Sequence, residues 1–259
     1  MSTTVNAPES LFNLLEPLLA RVSKPIQYVG GEVNSVVKSW ESAHVRWALM
    51  YPDAYEVGQP NQGIAILYEV LNEQDWILAE RSYSVWPDLA GLMRTHEVPA
   101  FTLDSHRPVA AFDVFGVSFS TELGYTNLLE AIDLAGIPLH AADRGEDHPL
   151  VVAGGHAAFN PEPIADFIDA AVLGDGEEAA LRISQIIRDW KMQGRPGGRT
   201  NLLTMLAING VAYVPSRYDV TYFSDGRIEA VTPNLPGVPF QVAKHTLMDL
   251  DEWPFPKAP

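Results

Sequence analysis

The chain contains no cysteine. That excludes disulfides, thiolate zinc sites, cysteine nucleophiles and any iron–sulfur cluster held by its own residues. It has no apolar run near the roughly 18 residues that a membrane span requires, and its polar start, Met1 to Ser10, lacks a signal-peptide pattern. No membrane contact is expected, and the expected location is cytoplasmic. Positive charge is scarce. Against 33 Asp and Glu stand 17 Lys and Arg, a formal net charge of −16, with no basic block to offset it locally. Such a chain repels a phosphate backbone, so nucleic acid is not an expected partner, and its acidity serves solubility. The histidines His44, His96, His106, His140, His148 and His245 show no metal-ligand spacing, and no metal site is expected.

What is present is core. At 259 residues and 47% hydrophobic content, the chain can bury a sizeable interior. From Val45 onward, short apolar runs alternate with amphipathic stretches, the pattern of βα repeats on a mostly parallel sheet. Strands are expected at Val45 to Met50, Trp76 to Glu80, Asp113 to Phe119, Leu150 to Ala153 and Ala170 to Leu173, with a short extra one at Pro99 to Leu103. Helices are expected at Gln62 to Asn72, Asn127 to Ala135 and Glu177 to about Gln193.

Residues 1–43 read as an N-terminal extension, with a leucine-spaced helix from Ser10 to Arg21 that Pro17 should kink or shorten. Residues 44–194 form the α/β domain. Within 195–259, Arg195 to Arg199 has the composition of a linker; strands follow at Val211 to Val214, Asp219 to Phe223 and Arg227 to Val231, the last two joined through Asp225-Gly226. The sequence stops at Trp253-Pro254-Phe255-Pro256-Lys257-Ala258-Pro259, which reads as an interdomain connection cut short.

In an open parallel sheet, ligands bind beyond the carboxyl ends of the strands. Four expected strands end there in glycine-bearing turns: Tyr51-Pro52-Asp53-Ala54-Tyr55-Glu56-Val57-Gly58, Gly116-Val117-Ser118-Phe119-Ser120, Gly154-Gly155-His156 and Gly174-Asp175-Gly176-Glu177. Glycine lets backbone approach a flat or phosphorylated ligand closely, and a small hydroxyl such as Ser118 bonds without filling the space. The spacing is not G-x-G-x-x-G, and G-x-x-x-x-G-K-[ST] is absent. Glu177 and Glu178 suit a helix dipole better than an acid–base pair, and Asp53 suits a turn, so no catalytic residue is assigned. Trp40, Trp47, Trp76, Trp86 and Trp190 read as core or domain-contact residues.

The ordered set Tyr51-Pro52, D-V-F-G-V-S (Asp113 to Ser118), V-V-A-G-G (Val151 to Gly155), N-P-E-P (Asn160 to Pro163) and D-A-A-V-L-G-D-G-E-E (Asp169 to Glu178) resembles the N-terminal cobalamin-binding domain of radical S-adenosylmethionine proteins. K-P-I-Q-Y-V-G-G-E-V-N (Lys24 to Asn34) and E-R-S-Y-S-V-W-P-D (Glu80 to Asp88) look closer to one uncharacterised branch of that superfamily. The resemblance implies a three-layer Rossmann-like fold of the cobalamin-binding type, with a β-rich connector at its C-terminal side. It implies an accessory role, with cobalamin as the cofactor and a radical S-adenosylmethionine domain as the partner in cis. The [4Fe–4S] cluster and S-adenosylmethionine would belong to that following domain, which carries C-x-x-x-C-x-x-C in the family. The implied cofactor site comprises Tyr51, Pro52, Asp53, Tyr55, Gly58, Gly116, Ser118, Ser120, Gly154, Gly155, His156, Gly174, Gly176 and Glu177. One departure stands out: where many cobalamin domains carry the His of D-x-H-x-x-G, this chain has Tyr55, a poor cobalt ligand. His156 is then the nearest imidazole. The alternative is a structural module that has kept the scaffold and lost the cofactor.

Overall fold

A computed structural model describes residues 8–258. Most of the start read for a signal peptide, and the final Pro259, lie outside the described residues. Five strands form one parallel sheet: β1 (Val45–Tyr51), β2 (Ile77–Tyr83), β3 (Val114–Ser118), β4 (Leu150–Gly154) and β5 (Ala170–Ala171). Their order is β2-β1-β3-β4-β5, so the connection direction reverses between β1 and β3. Such a reversal opens a crevice at the carboxyl edge. The strand interiors are buried, as continuous apolar runs covered on both faces must be.

Helices α3 (Gln62–Asn72) and α6 (Gly176–Met192) pack together on one face. Helix α3 starts where Asn61 accepts a hydrogen bond from the Ile64 N–H at 3.1 Å, a side-chain cap on an otherwise orphaned donor. Helices α4 (Pro87–His96) and α5 (Tyr125–Leu134) cover the other face, giving the three layers expected. A single turn, α2 (Tyr55–Gly58), lies between β1 and α3. The C-terminal strands β6 (Tyr218–Tyr222) and β7 (Ile228–Pro233) pair as an antiparallel hairpin.

The structure adds two helices to the expected elements and removes two strands. Helix α4 was not foreseen. It starts with Pro87 at its first position, buries Leu89, Ala90 and Met93, and stops at Glu97 in the left-handed region, φ 56°. Helix α7 (Gly198–Ile208) begins inside the stretch read as a linker. Gly194, Arg195 and Gly197, all at positive φ, turn the chain sharply between α6 and α7, and Leu202 and Leu206 join the main core. Pro99 to Leu103 contributes only a bridge between Phe101 and Pro108, and Val211 to Val214 only one between Tyr213 and Ala171.

Helix α1 (Phe12–Leu19) runs through Pro17 but stays short; it docks Leu15, Leu18 and Leu19 against Leu89 and Met93 of α4 in a second apolar cluster. The main core takes in Trp40 and Ala43 as well as Val211 and Val238, so packing is continuous across 43/44 and 194/195.

Carboxylates close the amino ends of the strands. Asp169, just before β5, accepts on one oxygen from Arg144, Arg199 and the Val151 N–H, each at 2.8 Å. Asp113, just before β3, pairs with Lys191 and accepts from the Arg46 N–H at 2.9 Å.

Candidate functional site

At the opposite ends of the same strands, a groove of about 230 Å³ opens between α3 and α6. Trp47 and Leu49 of β1 and Val152 of β4 form its floor, Ile64, Leu67 and Ala180 its walls. Trp47 is held by a hydrogen bond from its Nε1 to Ser184 Oγ at 2.9 Å. The rim consists of Gly63, Ser118, Gly154, Gly155, Gly174, Asp175, Gly176 and Glu177.

The glycines of this rim are there for different reasons. Gly155 (φ 83°) and Gly174 (φ 92°) adopt left-handed backbone, and a Cβ on either would fall 2.5 Å from Phe119 O or 2.1 Å from His245 O. Both are demanded by the chain's own path. Gly116 makes room for the Trp47 indole, 2.9 Å from where its Cβ would stand. Gly154 differs, because its nearest neighbour would be Val117 O at 4.0 Å. Its missing side chain leaves the groove open and serves no packing contact.

Asp175 precedes α6 as its cap residue, yet its carboxylate accepts from the Leu247 N–H at 2.7 Å and makes no bond to the helix. The first-turn donors of α6 therefore face the rim without a side-chain cap. Glu177 lies in that turn and supplies negative charge there. The segment around His245 is laid along the end of β5 by bonds from the His245 N–H to Leu173 O (2.8 Å) and from the Asp175 N–H to His245 O (3.1 Å).

Of the residues expected at the site, the structure brings Gly116, Ser118, Gly154, Gly155, Gly174, Gly176 and Glu177 to the groove. The others lie elsewhere. Tyr51 bonds to Ser120 through their hydroxyls at 2.9 Å, and Pro52 accepts from Asn127 at 2.7 Å, on the α5 side of the edge. Asp53 is exposed and caps its own turn through the Ala54 N–H. His156 is exposed, tilted toward Phe159 with ring centroids 6.4 Å apart.

Tyr55 turns away from the groove. Its hydroxyl donates to Glu32 at 2.9 Å, its ring meets Tyr83 edge to face, and both line a small, mostly apolar pocket on the other face of the sheet. Burial, reinforced by the Glu32 carboxylate, pushes the Tyr55 phenol up to about 12. Gly58 belongs to the same packing, since a Cβ there would lie 2.6 Å from the Tyr83 ring.

The floor and walls Trp47, Leu49, Ile64, Leu67 and Ala180 escaped the sequence reading. The only available signal was their periodicity on β1, α3 and α6, which marks core and groove floor alike. Among the described residues, no group of three or more His, Asp or Glu is placed to hold a metal, and no helix is long and apolar enough to cross a membrane.

A family model described as "Radical SAM proteins, N-terminal" matches residues 63–215, more than half of the chain and all of the groove except its β1 floor. No curated protein and no solved structure matches.

Proposed function

Since the chain belongs to the family of N-terminal regions of radical SAM proteins, we propose that it is an accessory domain whose carboxyl-edge groove holds part of a corrinoid beside a catalytic domain in cis. The observation that carries this reading is Gly154. Among the rim glycines it keeps the groove open without any demand from backbone or packing. At about 230 Å³ the groove falls below the about 300 Å³ at which small-molecule pockets usually begin. It therefore suits one end of a large ligand, such as the nucleotide tail of cobalamin, whose corrin ring would lie outside, over the sheet edge.

Exposed apolar side chains stand on the surrounding loops: Val57 after β1, Leu123 after β3, Phe159 after β4, and Met248 and Leu250 beyond the β5 end. Scattered apolar residues need no explanation, but a ring of them around one edge suits a covering domain. When bound, the corrinoid would supply methyl-transfer or related radical chemistry. This chain's residues would position it: Trp47 and Leu49 beneath the tail, the uncapped start of α6 and Ser118 toward its polar groups. With Tyr55 turned to Glu32 and the exposed His156 ring tilted toward Phe159, a protein imidazole on cobalt is not expected.

One observation favours the alternative of a scaffold that has lost its cofactor. The Trp47 indole fills the space over Gly116 that a deeper tail would need.

The test is gel filtration of the chain with hydroxocobalamin, followed by visible spectroscopy, beside a Gly154→Trp variant. Gly155 is unsuitable for this purpose, because any side chain there strains the backbone itself. Retained cobalamin that Gly154→Trp abolishes, with a spectrum lacking protein imidazole, is the expected result. No retention at high micromolar cobalamin would overturn binding and leave the structural module.

A further inference from the structure

A second and larger cavity lies at the β5 side of the sheet, lined by none of the groove residues. It measures about 590 Å³ and is enclosed by the turns at Ala141–Asp143 and Glu162–Phe167, the first turn of α7, and β6. This is within the span of about 300–1,000 Å³ typical of small-molecule sites.

Its lining sets three arginines, Arg144, Arg199 and Arg217, against three carboxylates, Glu162, Asp166 and Asp169, but does not pair them one to one. Arg144 and Arg199 share the single carboxylate of Asp169, so two guanidinium groups face one buried anion. Among the described residues, Arg217 has no carboxylate partner. Its Nε donates to Thr204 Oγ1 (3.1 Å), Nη1 to Ser216 O (3.0 Å) and Nη2 to Thr200 O (2.9 Å). A guanidinium has five N–H donors, so two remain, and it stays charged throughout the physiological range.

Two acids also line the cavity. Glu162 already accepts from the Tyr213 hydroxyl at 2.6 Å, and Asp166 sits at the exposed rim. One further feature lies beside Arg217. Helix α7 has no side-chain cap, so its positive end, at Arg199 and Thr200, meets the cavity. Opposite these donors, the Tyr213 and Tyr218 rings lie 4.8 Å apart, and Tyr222 stands exposed at the mouth.

We propose that this cavity binds a small anion bearing a flat ring, its phosphate or carboxylate against Arg217 and the start of α7 and its ring on Tyr218 and Tyr222. Tying the start of the hairpin to α7 accounts for two of the three hydrogen bonds of Arg217, those to Thr200 and Thr204. It does not account for a guanidinium with two spare donors beside so large a space. The site shares no residue with the corrinoid groove, so either can fail without the other.

The probes are 5′-AMP, adenosine and inorganic phosphate, titrated calorimetrically into the full chain at low ionic strength. AMP is expected to bind saturably and more tightly than either fragment. Arg217→Gln should weaken AMP by about tenfold or more while leaving adenosine unchanged. Tyr222→Ala, at an exposed position that cannot endanger folding, should weaken AMP and adenosine but not phosphate. No saturable heat with AMP at millimolar concentration would overturn the proposal. So would AMP affinity that neither variant moves.

Discussion

The two ends of the same five strands are built on opposite principles. At the amino end, Asp113 and Asp169 each plug a strand start, bonded to backbone N–H groups and to arginine or lysine. Burial pushes the Lys191 ammonium down there, and Asp113 only partly restores it. At the carboxyl end, glycines and an uncapped helix start leave an open groove over an apolar floor. The amino-end carboxylates serve the fold, and the carboxyl-end groove keeps its polar groups available. Substitutions at the two ends should therefore differ in kind as well as in size.

The largest effect is expected at the amino end. Asp169→Asn strands two buried guanidinium groups and should cost about 3–5 kcal/mol, as loss of one partner from a buried pair does. Urea denaturation reads this directly. A cost below about 1 kcal/mol would show that the amino-end pairs contribute no more than surface pairs, and the contrast would collapse.

Next comes Gly155→Ala at the carboxyl end, where the effect is purely conformational. Left-handed backbone and a Cβ 2.5 Å from Phe119 O should together cost about 1–3 kcal/mol. A thermal midpoint equal to that of the unsubstituted chain would mean that the β4 turn relaxes freely.

The two ends were unequally legible in the sequence. Buried parallel strands announce themselves as apolar runs, and α3 was readable to the residue because Asn61, its apolar face and its length agree. Helix α4 was missed although Trp86-Pro87-Asp88 holds a start signal, Pro at the first position with an acid beside it. Its apolar face is only three residues wide. Helix α7 was hidden behind Gly194 to Gly198, since the same glycines that mark a linker also make a tight helix-to-helix turn.

Half of the expected site converged on the groove because glycine at a strand's carboxyl end places itself. The loop after β1 did not converge. Which way Tyr55 turns depends on Glu32 and Tyr83, partners 23 and 28 positions away, and no local pattern encodes that choice.

Tyr55 supplies the third test, smaller than the first two. Tyr55→Phe removes the bond to Glu32 and should cost about 0.5–1.5 kcal/mol. Its phenol is raised from 10.0 to about 12 in the fold, so the stability tied to its protonated form is whole below about pH 10 and is lost as pH rises toward 12. The difference between the two proteins should accordingly narrow from about pH 10 to about pH 12 in parallel urea titrations. A constant difference would place the effect in packing against Tyr83 instead.

The smallest stability effect belongs to Gly154, and its smallness is what makes it informative. Gly154→Ala adds a methyl group to a strand residue with ordinary backbone and no neighbour closer than 4.0 Å, so stability should change by no more than about 0.5 kcal/mol. The same methyl group projects into the groove, so retention of hydroxocobalamin should fall with Ala and vanish with Trp. Two adjacent glycines would then separate cleanly, Gly155 costing stability and Gly154 costing binding. If Gly154→Ala destabilises as much as Gly155→Ala, both residues serve the turn after β4, and the openness of the groove is a by-product of how that turn is made.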